Sequence, residues 1–567
     1  MTFGTTDASS DLKPRPSAAM RVRWFRIIVA LLTFAMLAAA VAPGALAAGR
    51  PDQPDGAAGA FMRRAVRAIG GQDALVGLER LEITATGASW IRYEAPQPDG
   101  LMETTSYTRT YTFDLADEKL RVDVERQLLF EAFQFLPPQT FSIVLDGNVG
   151  GITAGAGFAP PGNIPSSAVA AMSKEQRFFN PHFLLREALA EPGLVGDGGT
   201  VLYNGRPHRI LTIDDDVAEI RLFIDQRSGL ISRLETMENN PLVRDTPVEV
   251  LYQDWQARGS LMFPNNVELH VGGAKVWEET RTSVELEPSL PAGQFDLPPG
   301  TDPTFFDAED FAFGEQSHHV VEGFFALGFF FDPQPGLAPP VVLAPGLTLL
   351  ATGANTLVVA VDGGQVVIEA PFSPTHGTDI VDAVSLLSSD PITHIVQSHH
   401  HVDHASGVRS LVAAGATVVV GNGTGGFWDD ILGAESTIRP DALAGAGVTG
   451  VVEELDFEGT FVIADDDITM TVYHVPANPH ADDNLITTIE TDGEMFLYQA
   501  DLYNAGFGFT LVIGGQASLF DAMRDLGIID GACNSVLPLT IIPAHGFPTT
   551  LEDSLTELAS LGVDVGC

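Results

Sequence analysis

Cysteine and lysine are the scarcest chemistry in this 567-residue chain, which holds two cysteines, Cys533 and Cys567, and four lysines, Lys13, Lys119, Lys174 and Lys275. The cysteines leave two readings open. In an oxidising compartment they pair and tie the C-terminal tail to the segment before it, or they are two unrelated thiols. Basic charge is short overall: 30 Lys and Arg stand against 74 Asp and Glu, a formal charge of −44. So large an acidic excess repels nucleic acid and other polyanions and favours solubility over phosphate-backbone binding. Saline surroundings would screen the self-repulsion. A membrane-length apolar run is also missing near the N-terminus, where Ile27 to Val41 falls short of the roughly 20 residues a span needs. Arg21, Arg23 and Arg26 precede that run and Ala45-Leu46-Ala47 follow it, which reads as a cleaved signal peptide over residues 1–48. Met20 opens a more typical signal than Met1 does. No cysteine lies near the cut, which argues against a lipid-modified N-terminus. Cleavage after residue 47 removes five basic and two acidic side chains and leaves −47 on an exported, periplasmic or extracellular protein.

A chain of this length is too long for one ordinary core, so two domains behind the leader are expected. Residues 49–299 alternate with period two. Leu81 to Thr86, Tyr107 to Phe113, Glu249 to Trp255 and Asn266 to Val271 read as half-buried antiparallel strands. Ile220 to Asp225 and Ile231 to Glu235 flank Gly229 as a hairpin. Helices are expected near Ala57 to Val76 and near Ser167 to Ala190, the second broken at Pro181. The result is an α+β unit on one antiparallel, half-barrel-like sheet. The turn Asp225 to Leu230, the segments Leu251 to Trp255 and Met262-Phe263-Pro264, and the closing Phe295-Asp296-Leu297-Pro298 resemble the outer-membrane lipoprotein-sorting (lipoprotein-carrier) family. That resemblance implies a concave face able to hold an acyl chain, although a packed sheet without ligand is the simpler expectation.

Residues 300–339 form a connector rich in Pro and Phe. Nine phenylalanines between Phe305 and Phe331 are out of place in a solvated linker, so it should pack across the junction. His318 and His319 within it read as surface or junction residues.

From residue 340 onward strands alternate with helices. A hairpin is expected over Thr356 to Val361 and Gln365 to Glu369, a helix over Asp379 to Ser388, and a strand over Ile392 to Gln397. A helix over Ala405 to Ala414 and a strand over Ala416 to Val420 follow. Between that first strand and the second helix lies Ser398-His399-His400-His401-Val402-Asp403-His404, a His-x-His-x-Asp-His pattern at a strand's C-terminal end, where α/β sites form. His399 and His401 can converge on one ion while His400 points elsewhere, and Asp403 and His404 can face a second. His480, Asp501 and His545 follow, each after a short apolar run. Five imidazoles and two carboxylates suffice for two adjacent cations, which suits zinc and leaves iron or manganese open. Such a pair holds a hydroxide and polarises a carbonyl or phosphoryl oxygen.

Here residues 340–567 resemble the metallo-β-lactamase superfamily of metal hydrolases, which implies an αββα sandwich. The resemblance assigns His480, in Asn478-Pro479-His480-Ala481-Asp482-Asp483-Asn484, to the first ion with His399 and His401. Pro479 replaces a usual Gly. Asp501 matches the bridging carboxylate of binuclear members, and His545 joins Asp403 and His404 at the second ion. Spacings of 21 residues from His480 to Asp501 and 44 to His545 resemble the lactonase and glyoxalase II branches. Glu369 stands where the superfamily has a supporting Asp. The implied function is hydrolysis of a small ester, lactone or related acyl compound by a hydroxide bridging two zinc ions. Asp403 would orient it, and Tyr503 would either donate to the oxyanion or, the commoner role for such a residue, pack. A β-lactam hydrolase is the alternative within the fold. A lipid-binding protein with the metal domain as scaffold is the alternative outside it. His376 and His474 read as structural.

Overall fold

The structure is a computed structural model that describes residues 56–567 other than 131, 132, 134, 135, 158, 477 and 509–511. The expected signal segment lies outside the described residues. Among these residues no helix is long and apolar enough to cross a membrane.

Thirteen strands form the first sheet. It is made of two meanders, joined where the first strand, Arg80–Arg92, pairs antiparallel with the last, Ala274–Leu286. Along Arg80–Arg92, Leu81, Ile83 and Ala85 are buried and their neighbours are not, the alternation expected of a strand with one covered face. Helices Gly56–Ala68, Ser166–Phe179 and Pro181–Ala190 share one apolar cluster with that face. Gly70 and Gly71, at φ 127° and 97°, end the first helical run before Gln72–Val76. Pro181 restarts the second at its first position, where a missing N–H does no harm.

The connector folds as helices Ala308–Gln316 and His318–Leu327. Asp307 caps the first by accepting from Glu309 N and Asp310 N, and Gly328 in the left-handed region ends the second. Phe311, Phe313, Phe324, Phe325 and Phe331 are buried, and Phe331 lies 6.3 Å from Phe372 of the following unit. One apolar cluster thus runs from the first sheet through the connector to Ile380, Leu411 and Trp428. His318 and His319 are not on the surface: both rings are buried with Glu238 between them.

Beyond the connector lie a seven-stranded and a six-stranded sheet. Val359, Ile368, Val396 and Val419 of one meet Met470, Val472, Ile489, Tyr498 and Ile542 of the other in a shared core. Helices Pro374–Leu387, Val408–Ala413 and Gly425–Gly433 cover the outer face of the first of these sheets. Gly515–Asp525 and Leu551–Ser560 cover that of the second. Cys533 and Cys567 are joined in a disulfide across 34 positions.

Candidate metal centre

Parallel pairing decides where the site forms. Gly364–Ile368 and Ile392–Val396 run parallel in one sheet, and Glu494–Gln499 and Leu539–Pro543 run parallel in the other. The first pair leads directly into Glu369 and His399, the second into Asp501 and His545. Loops following parallel strands emerge at the same end of a sheet, and that is where α/β proteins build sites. His480 comes from the turn joining Ile468–His474 to Leu485–Thr491.

His399, His401, His480 and Asp501 bring one donor atom each within 4.8 Å of one another, and so do Asp403, His404 and His545. Glu369, His399 and His404 form a third such group. The His480 and His399 Nε2 atoms are 3.1 Å apart, and His545 and His404 Nε2 are 3.2 Å apart. Asp501 Oδ2 is 3.0 Å from His404 Nε2 and 3.2 Å from His480 Nε2, so it stands between the groups.

The other ring nitrogens fix which lone pairs face inward. His404 Nδ1 donates to Glu369 Oε1 at 2.9 Å, and His545 Nδ1 donates to the Gly353 carbonyl at 2.7 Å. Each therefore presents Nε2 to the site, the arrangement that orients ligating imidazoles. Glu369 Oε1 also accepts from Ser398 Oγ at 2.9 Å and Gln397 Nε2 at 3.3 Å. Asp403 Oδ1 is buried without a hydrogen-bond partner. Glu369 and Asp501 are non-glycine residues at φ 77° and 63°, the kind of backbone strain that collects at functional positions.

Burial, reinforced by neighbouring imidazoles, holds His399 and His401 well below the ordinary 6.5, so both stay neutral and keep a lone pair. Burial acts the same way on His404, but Asp501 and Asp403 outweigh it and raise His404 well above that value. Burial would raise Asp501, yet His404 and His545 hold it well below 3.8. Converging imidazoles with outward N–H groups fixed, plus an orphaned carboxylate oxygen, are a donor set that fits divalent cations.

His400 turns away from both groups, with Nδ1 2.7 Å from Asp483 Oδ1 and Nε2 3.0 Å from the Ala95 carbonyl. Tyr503, expected as an oxyanion donor, is placed otherwise. Its hydroxyl donates to Glu557 Oε2 at 2.7 Å, which leaves no proton for a substrate. His376 is buried beside Phe372, and burial lowers it to about 4. His474 donates to the Asp482 carbonyl at 2.8 Å. Both are structural. Sequence reasoning missed Glu94, Ala95 and Gln97 of the first sheet, which reach the ligand loops. Burial, then Asp403, pushes the Glu94 carboxyl well above the usual range.

No family model matches the chain, and no curated protein does. Among solved structures, Rm3 metallo-beta-lactamase is 20% identical over 40% of this chain and 86% of its own, with a TM-score of 0.27. A metallo-beta-lactamase from Pontibacter korlensis is 14% identical over 40% of this chain and 100% of its own, at 0.29. The sec-alkylsulfatase Pisa1 from Pseudomonas sp. is 18% identical over 40% of this chain and 41% of its own, at 0.28.

Proposed function

We propose that this chain is an exported, metal-dependent hydrolase of a small ester, lactone or related acyl compound, working with two zinc ions. His399, His401 and His480 would hold one ion, Asp403, His404 and His545 the other, and Asp501 would lie between them. Iron or manganese is compatible with the same donors. The observation that carries this reading is the convergence of those seven side chains, drawn from four loops, in groups whose donor atoms lie within 4.8 Å. Cations bound there supply Lewis acidity at a carbonyl oxygen and a lowered pKa for water.

The chain's own residues do the rest. Glu369 and the Gly353 carbonyl keep His404 and His545 in one tautomer. Asp403 Oδ2 lies 3.3 Å from His545 Nε2 while Oδ1 is unpartnered, so this carboxylate can take a proton from an attacking water and return it to the leaving group. The charge of −44 disfavours polyanionic substrates. Lipid carriage by the lipoprotein-carrier-like first unit is the weaker reading. It rests on no observation beyond the sheet itself, and the cavity bounded by Trp90, Trp277, His318 and His319, at about 10 Å³, has room for a water.

The test is acid release by full-length protein, zinc-loaded and chelator-treated, from lactone, ester, thioester, cephalosporin and phosphodiester substrates, with Asp403→Ala beside it. Turnover of one acyl class, lost on chelation and in the variant, is expected. A cephalosporin as the sole substrate would favour the β-lactam alternative. No turnover with two metals bound per chain would refute the hydrolase reading.

A further inference from the structure

The first sheet reaches the metal centre through one turn. Strand Arg80–Arg92 ends at Tyr93, whose φ of 65° swings the chain out of the sheet before Leu101–Asp114 returns it. In between, Glu94 Oε1 accepts from Val402 N at 3.0 Å. The Ala95 carbonyl accepts from His401 Nε2 at 3.1 Å as well as from His400. The Pro96 carbonyl accepts from Asp482 N at 2.8 Å, and Gln97 Nε2 donates to Asp482 Oδ2 at 2.9 Å. These contacts fall on two of the loops that carry the first ligand group, the one with His399 and His401 and the one with His480.

A carbonyl oxygen has no proton to give. The His401 ring must therefore carry its proton on Nε2 when it faces Ala95, and its free lone pair is then on Nδ1. A ligating imidazole oriented through its second nitrogen is the general way proteins fix a metal's first neighbours. In this chain the fixing group for His401 comes from 306 positions away, in another sheet. Glu94 Oε2 lies 3.7 Å from the same Nδ1.

Resting on the metal-hydrolase reading above, we propose that the turn Tyr93–Gln97 is a working part of the metal centre. Ala95 selects the tautomer of His401, while Glu94 and Gln97 are positioning residues that hold the two ligand loops together. The N-terminal unit thereby sets the affinity for the cation at His399, His401, His480 and Asp501. Gln97 bonds only to Asp482, so the cation at Asp403, His404 and His545 should be indifferent to it, whereas Glu94 also holds Val402 N beside Asp403 and should affect that second cation to a smaller degree.

The test is cobalt(II) titration of the full-length, chelator-treated protein, read by the visible d–d bands and by equilibrium dialysis. Wild type should bind two ions. Glu94→Ala should weaken one of them by about tenfold to a hundredfold and the other less. Glu94→Gln keeps an acceptor for Val402 N and should recover much of that loss. Gln97→Ala alters an exposed side chain outside the core, so it guards against a folding artefact and should weaken the same ion to a smaller degree. Wild-type affinity for both ions in Glu94→Ala and Gln97→Ala alike overturns the proposal. A wild-type protein that binds no cobalt overturns the metal reading itself, and the proposal with it.

Discussion

Glu369 allows a sharp separation of metal binding from folding. Its Oε1 gathers His404 Nδ1, Ser398 Oγ and Gln397 Nε2, and the side chain is wholly buried. Burial raises its carboxyl above the ordinary 4.5, so in the metal-free protein the charge is held at some expense to stability. Once a cation sits on His404 Nε2, the same charge supports the ligand through the ring. Glu369→Gln keeps an acceptor oxygen for the three donors and removes only the charge. Losing such a partner lowers metal affinity by about tenfold to a hundredfold, which is about 1.4 to 2.7 kcal/mol of binding free energy. At fixed free zinc above the dissociation constant, that amount disappears from the metal-linked part of the stability. The assay is urea unfolding of wild type and variant in zinc buffer and in chelator, and the quantity compared is the zinc-minus-chelator increment, in which any packing change cancels. The increment should be smaller in Glu369→Gln by about 1.4 to 2.7 kcal/mol. Equal increments, with both variant curves shifted alike, would show that Glu369 holds the fold and not the metal.

Other outcomes follow from neighbouring features. Reducing the Cys533–Cys567 bond, or Cys533→Ala, should lower stability by about 4 kcal/mol on loop entropy for a 34-position span, seen as a reductant-dependent urea midpoint of the C-terminal unit. In the chelated protein His404 is raised above 6.5, so its contribution is full below that pH and is lost as pH rises through the folded value. Asp501 is depressed below 3.8, so its contribution is present above that pH and lost in acid. His399 and His401, held below 6.5, work the opposite way, so the His404 share is read as the stability lost in His404→Ala, which should be larger at pH 6 than at pH 9; zinc binding should release a proton, measurable by calorimetry in buffers of different ionisation heat. Gly377 touches Gly407 so closely that an added Cβ would lie 2.4 Å from the Gly407 carbonyl. Gly377→Ala should push away the helix that follows the histidine loop, cost about 1 to 3 kcal/mol, and weaken cobalt binding in the titration above.

The clustering of these side chains was legible in the chain because its core is local: four metal-ligand-type residues within six positions, and three more just beyond apolar strands. What stayed hidden was made by groups that carry no residue signature. The Ala95 carbonyl is a backbone atom that any residue supplies, and its partner lies hundreds of positions away. Sequence nearness to Asp501 says nothing about which way the Tyr503 ring turns, and Glu557 accepts from its hydroxyl. The helix expected from Asp379 begins at Pro374, since Ser373 caps His376 N and proline suits a first turn. The helix expected over Ala405 to Ala414 is interrupted at Ser406 and Gly407, where the close crossing with Gly377 sets the path.

Arg244, at the turn after strand Ile231–Asn240, reaches across the junction to Ser436 Oγ, the Arg439 carbonyl and Asp441, and Arg409 grips that same Asp441 at 2.6 Å. Arg244 and Asp441 are each about 1% exposed. Pulling them apart would strand a charge in the interior at about 3 to 5 kcal/mol, besides parting the phenylalanines of the connector. Turning one half against the other would have to break this buried pair and part the packed phenylalanines, so the junction resists a hinge motion.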